Sequence, residues 1–244
     1  MDQQTKAALK QDKFVSTTTH SLEWAGEHRK SVITTGAIVL AAILIAVLSG
    51  VIYNSRSDAA SAAFGAAMQA YQTPLSQPGQ AVPPGVKTYT STAERAKAAN
   101  ALFTDVANKY GMTPSGRNAL YFAGLTSIEA GQNQAGEDTL KKVAGGWNSN
   151  LASLAKFALA QLYRNTGRDP QAIEEYKELT AKPTTTIPAG MAQLALADLY
   201  NSEGKTAEAK NIYASLKDSD KKGPAGAIAK EKLNPAPVQP GQPQ

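Results

Sequence analysis

The chain has 244 residues, no cysteine, two histidines, 42% hydrophobic residues and a formal net charge of +5. That length allows one or two domains, and the missing cysteines exclude disulfide stapling and thiolate metal sites. Residues 57–244 hold nineteen Lys/Arg against sixteen Asp/Glu; so thin an excess excludes a phosphate-binding surface, and no nucleic acid is expected as a partner.

Residues 1–30 mix five basic and four acidic groups, and no charged residue then occurs between Lys30 and Arg56. Within that block Val32 to Tyr53 form a run of 22 residues whose only polar members are hydroxyls. As a helix the run would be about 33 Å long, enough for a hydrocarbon core of about 30 Å. A buried core helix would carry a polar face over six turns, so a transmembrane helix over residues 31–55 is predicted instead. A cleaved signal peptide competes with it, since Ala60-Ser61-Ala62 resembles a cleavage site. The run is longer than the usual signal core, however, and a 30-residue mixed-charge segment precedes it.

His28-Arg29-Lys30 abuts one end of the run; beyond the other stand Arg56 and Asp58, then no basic residue before Lys87. The positive-inside bias places residues 1–30 in the cytoplasm, and the rest of a single-pass protein across the bacterial inner membrane in the periplasm. A cysteine-free exported part suits an oxidising compartment. Ala42, Ala46 and Gly50 recur every four residues, a stripe on which a partner helix could pack closely. Alanine is common in any such helix, and composition alone also explains the stripe.

Three later passages share one layout: Gly124-Leu-Thr-Ser-Ile-Glu-Ala-Gly131, Ala160-Gln-Leu-Tyr-Arg-Asn-Thr-Gly167 and Ala197-Asp-Leu-Tyr-Asn-Ser-Glu-Gly204. Their closing glycines lie 36 and 37 residues apart. Counting onward from each, the fifth residue is small (Gly136, Ala172, Ala209), the ninth large (Leu140, Tyr176, Tyr213) and the twelfth aliphatic (Val143, Leu179, Leu216). Self-similarity at this period predicts an all-α helical solenoid. Each glycine can take the left-handed conformation that ends one helix and starts the next. The small residues before and after it would let two antiparallel helices touch. The ninth-position residues would fill the space between hairpins, which is why no hairpin is stable alone.

The pattern resembles the tetratricopeptide repeat, with a period slightly longer than the family's 34 and its late proline only approximated by Pro183 and Pro224. Upstream, Glu94–Tyr110 carries Ala99, Phe103 and Val106 with the spacing of a second helix, and its expected partner is Ala59–Gln72, continuing from the membrane run. Between them residues 73–92, rich in proline, predict a long loop. Pro224–Leu233 is expected as a capping helix, and residues 234–244, without apolar periodicity, as a disordered tail. The repeat domain is thus expected over 56–233.

An anchor followed by degenerate repeats is similar to the YfgM-like proteins, ancillary subunits of the bacterial Sec translocon. The segment Leu9-Lys-Gln-Asp12-Lys-Phe14-Val, with Trp24 and His28-Arg-Lys30, is similar to a motif that precedes the anchor in that family, and the resemblance runs over roughly residues 8–233. It implies a protein–protein interaction module whose repeats meet translocon subunits, exported clients or periplasmic chaperones. An envelope scaffold for cell-wall, division or outer-membrane assembly factors is the competing function. In the family's pattern the partner-facing positions of the first helices are Tyr121, Leu125, Ile128 and Glu129, then Phe157, Gln161, Arg164 and Asn165, then Leu194, Asp198, Asn201 and Ser202. Such a mixture suits extended polypeptide and lacks the basic clamp that a C-terminal carboxylate needs. Leu125, Phe157 and Leu194 are explained equally well as packing between repeats.

Catalysis finds little support. Both histidines, His20 and His28, precede the apolar run, so the exported part lacks the groups for Ser-His-Asp, thiol or zinc chemistry. Glu174, Glu175 and Glu178 form its densest acidic group, but interleaved Lys177 and Lys182 read as a solvated helix face. Ser55, Ser57 and Ser127 have no spaced lysine that would activate them. GGWNSN at 145–150 lacks the Lys-Ser/Thr of a phosphate loop. No enzyme, cofactor or metal is expected.

Overall fold

The computed structural model describes residues 28–76 and 88–235. The Leu9–Phe14 motif, His20, Trp24, the middle of the proline-rich segment and residues 236–244 lie outside them. The chain divides into two compact units, residues 1–55 and 56–244. Among the described residues there are nine helices and no strand; a lone bridge pairs Leu75 with Tyr89.

Helix α1, Arg29–Gln72, contributes to both units. In the first unit it is long and apolar enough to cross a membrane, and none of its most apolar window is buried. Side chains such as Ile38, Leu40, Ile45 and Val51 stand exposed. Thr34 hides its hydroxyl by donating to the carbonyls of Lys30 and Ser31, as hydroxyls in apolar helices do.

The second unit is a TPR-like helical solenoid. Residues 56–72 of α1 share a core cluster with α2 (Thr92–Tyr110), Phe64 meeting Phe103 at 5.7 Å. Three hairpins follow: α3 (Pro114–Glu129) with α4 (Asn133–Ala144), α5 (Ser149–Asn165) with α6 (Asp169–Ala181), and α7 (Ala189–Ser202) with α8 (Thr206–Ser219). Helix α9 (Pro224–Leu233) closes the stack against α8 and α7. From α2 onward each helix packs on the next in the chain, and α3 also touches α5, the nearest-neighbour pattern of a repeat protein.

Local chemistry sets the boundaries. Ser91, Thr113 and Asn148 cap α2, α3 and α5 by accepting from the backbone N–H of Glu94, Gly116 and Leu151, which satisfies donors that no helix turn can reach. Pro114 and Pro224 occupy the first turns of α3 and α9, where a missing N–H costs nothing. Gly131, Gly167 and Gly204 have φ of +82°, +71° and +78°. After each, the next residue's N–H reaches five positions back, Gln132 to Ser127, Arg168 to Tyr163 and Lys205 to Tyr200, at 2.8 to 2.9 Å. These are Schellman closures, which favour glycine because a Cβ is strained there.

The hairpins close on small residues. In the first, a Cβ added to Gly136 would lie 2.8 Å from the carbonyl oxygen of Gly124, whereas the other two accommodate the buried pairs Ala160/Ala172 and Ala197/Ala209. Leu140, Tyr176 and Tyr213, with Val143, Leu179 and Leu216, form the buried spine on the second helices. At the start of the unit, Phe103 and Phe122 stack at 5.2 Å, with Phe64 and Tyr71 against both rings. That cluster unites α1, α2 and α3 into a first repeat whose connection is the proline-rich segment, pinned where described by Ser76 N–H donating to the Tyr89 carbonyl at 2.8 Å.

Candidate partner-binding face

The first helices α3, α5 and α7 carry all twelve residues singled out in the sequence, and the structure sorts them by environment. Tyr121, Leu125, Ile128 and Phe157 are half-buried against the central core, and the Phe157 ring meets Tyr176 edge-on at 5.7 Å. Leu194 packs in the same way against the C-terminal cluster. Two acidic members are engaged internally. Asp198 accepts from the Tyr213 hydroxyl at 2.6 Å and from Lys232 at 2.9 Å, tying α7 to α8 and α9. Burial, and then this hydrogen bond, push the Tyr213 hydroxyl well above its usual range. Glu129 accepts from Tyr71 at 2.5 Å, and burial followed by that bond raises Tyr71 to about 12.

Gln161, Arg164, Asn165, Asn201 and Ser202 are exposed. Arg164 and Asn165 end α5, and Asn201 and Ser202 end α7, each pair beside a left-handed glycine. Backbone capping fixes these helix ends, while amide and guanidinium groups project where the turn leaves room. The surface offers donors and acceptors over an apolar floor, a chemistry that fits a peptide backbone and its side chains. Ala42, Ala46 and Gly50 belong to the first unit, where all three are exposed and an added Cβ at Gly50 would meet nothing within 4 Å.

A buried carboxylate beside this face was not picked out in the sequence. Glu137 on α4 is buried, its side chain only 5% exposed, yet it pairs with Lys141 and Arg168, each at 2.8 Å, and accepts from the Tyr163 hydroxyl at 3.3 Å. Burial alone pushes its carboxyl upward, but hydrogen bonds and charge from Lys141 and Arg168 prevail and hold it below the usual carboxylate range. The Arg168 guanidinium also covers the Tyr163 ring at 4.6 Å. One carboxylate thus joins the α3–α4 hairpin to the turn between α5 and α6. Only the four-residue spacing to Lys141 hints at this in the sequence, and that spacing is ordinary on a surface helix. Asn100 was missed too: its amide donates to the Ala123 carbonyl, Thr126 and Ser127 at 2.7 to 3.1 Å, locking α2 to α3.

The acidic group on α6 divides as well. Glu174 is exposed, while Glu178 is held by Lys156 at 2.6 Å and Lys182 at 3.5 Å, and its carboxyl is lowered, first by the hydrogen bond from Lys156. Glu175, half-buried, is raised by desolvation. A cavity of about 220 Å³ beside Lys156 and Glu178 is also lined by Ser153 and Thr184. Ser153 bonds there to Thr184 and Thr186, so its hydroxyl docks the 182–188 connection and leaves Ile187 buried. Ser127 is buried under Asn100. Among the described residues no three His, Cys, Asp or Glu side chains gather as metal ligands would.

No curated protein matches the chain. Two solved structures are similar to it, a Podosopora anserina kinesin light chain of nearly identical TPR-like repeats and its single-substitution variant. Each is 19% identical, covering 57% of this chain and 76% of its own, with a TM-score of 0.47. The tetratricopeptide repeat-like domain matches over residues 22–237. That range takes in every glycine-closed hairpin described above, and the chain therefore belongs to the tetratricopeptide repeat-like domain family, whose repeats form protein–protein interaction modules and are typically non-catalytic.

Proposed function

We propose that the chain is a membrane-anchored interaction module of the bacterial inner membrane, its repeats in the periplasm, where it assists protein export beside the Sec translocon. The observation that supports this reading best is the union in one chain of an apolar segment with no buried side chain in its window and a repeat domain whose first helices end in exposed amide and guanidinium groups. An unburied apolar helix of that length needs a nonaqueous surrounding, and a bilayer supplies it. The likeness of the juxtamembrane segment to that of YfgM-like proteins favours the translocon. The helix stripe Ala42, Ala46, Gly50 is then the face for a translocon helix, and the ends of α5 and α7 hold extended polypeptide.

The test places a photocrosslinking residue at Asn165, at Asn201 and, as a control on a second helix, at exposed Lys177. Crosslinks to exported clients or periplasmic chaperones are expected from the first two. Equal crosslinking from Lys177 would refute the face assignment. The combined variant Arg164→Ala, Asn165→Ala, Asn201→Ala, which spares the half-buried Tyr121 and Phe157, should keep its helix content and lose about thirtyfold in capture, the scale of one hot spot of about 2 kcal/mol. A crosslinker at Ala42 or Ala46 is expected to reach translocon subunits; division or cell-wall proteins in their place would favour the envelope scaffold.

A further inference from the structure

The second unit has two unlike ends. Antiparallel hairpins put the tight turns at Gly131, Gly167 and Gly204 at one end, and the connections 111–113, 145–148, 182–188 and 220–223 at the other. Residue 56 lies at the latter end, where the Arg56 guanidinium donates to the Lys109 carbonyl at 2.8 Å. Only two residues, Asn54 and Ser55, separate it from the apolar run that ends at Tyr53.

This end carries two large apolar side chains in the open. Met112 is 85% exposed and Trp147 80% exposed, in neighbouring connections. Arg117 links them: its guanidinium donates to the Met112 carbonyl at 2.8 Å and covers the Trp147 ring at 4.9 Å. A shallow pocket of about 90 Å³, lined by Leu120, Val143 and Leu151, lies beside the indole, with Arg117 and Lys142 at its edge. Exposed Arg56, Lys109 and Lys142 lie at this end close to the connections that carry the pair, and Lys221 and Lys222 stand on the last connection of the same end, against Asp58, Asp218 and Asp220; at the opposite end Glu129, Asp169, Glu203 and Glu208 balance Arg164, Arg168 and Lys205. The near-neutral count of residues 57–244 therefore conceals a basic end.

The geometry points to this end of the repeat domain as a docking surface for an anionic bilayer, with Trp147 and Met112 seated at headgroup level and Arg117, Lys109 and Lys142 on lipid phosphates. The inference rests on the reading that residues 31–55 span the membrane. Tryptophan suits that depth because its ring is apolar and its N–H polar, lysine and arginine stems reach from it to the phosphates, and clustered cations are drawn to anionic lipid. Because Arg56 follows Tyr53 by only three positions in the sequence, the surface is tethered at high effective concentration to any bilayer the run crosses, and weak contacts suffice. Docking would leave the turn end, with the polar helix ends of α5 and α7, facing away from the membrane.

The full chain carrying Trp24→Phe, with Trp147 as its single tryptophan, is reconstituted into vesicles of phosphatidylethanolamine and phosphatidylglycerol bearing bromine on the acyl chains. A second chain carries Trp24→Phe, Trp147→Phe and Gln132→Trp, which moves the probe to the turn end. Bromine is expected to quench Trp147 at least about twofold more than the residue 132 probe, as an aromatic ring at headgroup level requires. Replacing the phosphatidylglycerol by phosphatidylcholine should reduce the difference. Alkaline extraction of the same vesicles separates the two readings. A chain that resists extraction while Trp147 is quenched no more than the control overturns the docking inference alone. A chain that is extracted overturns the span, and the docking inference falls with it. Shielding of Trp147 from acrylamide in native membranes but not in these vesicles means that a protein covers the end, and overturns the bilayer assignment.

Discussion

Replacing Gly136 with alanine sets two helix effects against each other. Alanine gains up to about 1 kcal/mol of helix propensity over glycine. In α4, however, the new Cβ would stand 2.5 Å from Ile128 Cγ1 and 2.8 Å from the backbone oxygen of Gly124. The Ile128 side chain can shift, but the Gly124 oxygen belongs to a helix held on both sides, so α3 and α4 must separate. Overpacking of that kind costs about 1–3 kcal/mol; with a backbone atom among the two contacts under 3.0 Å the upper part of that range, about 2–3 kcal/mol, applies, and the expected net loss is about 1–2 kcal/mol. For a unit of this size that corresponds to about 2–8 °C in Tm. Gly65→Ala provides the opposing case: the residue lies in the exposed part of α1 within the repeat unit and an added Cβ meets nothing within 4 Å, so Tm should rise by about 2–4 °C. Thermal unfolding of both full-length variants in detergent, followed by circular dichroism, measures the difference. A Gly136→Ala chain as stable as the parent would refute the claim that helix approach, and not turn chemistry, selected glycine there.

Glu137→Gln removes the buried charge at nearly constant volume and should cost about 2 kcal/mol at neutral pH, less than orphaning a fully buried charge because Lys141 and Arg168 can rehydrate. Its folded carboxyl is lowered from 4.5, so its contribution is complete above that pH and disappears as pH falls through the folded value; denaturant midpoints of parent and variant should converge on acidification, and a constant gap would refute the linkage. Gly204→Ala, at φ +78°, should cost about 1–2 kcal/mol of left-handed strain, whereas Gly145→Ala, at φ −81° with its nearest contact at 3.6 Å, should cost little; equal losses in urea unfolding would sink the Schellman explanation.

How far each part can be read in advance depends on the range of the interactions that decide it. The hairpins were legible because a closing glycine and the small residues around it answer to local demands, left-handed φ at Gly167 and helix contact at Ala160 and Ala172. Pro224 marked the start of α9 for the same reason. The environments of the residues proposed to face a partner were less legible, since periodicity fixes the face of a helix but not what lies opposite. Phe157 and Arg164, two turns apart on α5, have different environments: the Phe157 ring is half-buried against Tyr176 of α6, while Arg164 is exposed at the helix end. Glu137 reads as a surface residue until Arg168, 31 positions later, is brought to it.

By itself the sequence determined an all-helical repeat, its period, its turns and an apolar segment long enough for a bilayer, because these rest on spacing, backbone conformation and hydropathy along one stretch of chain. Tertiary structure alone decided the rest: the burial of Glu137, the internal partner of Asp198, and the meeting of Met112, Arg117 and Trp147 at one basic end. Each of these brings together residues from separate helices or connections, and the energy of such contacts depends on distance in space, which periodicity along the chain does not encode.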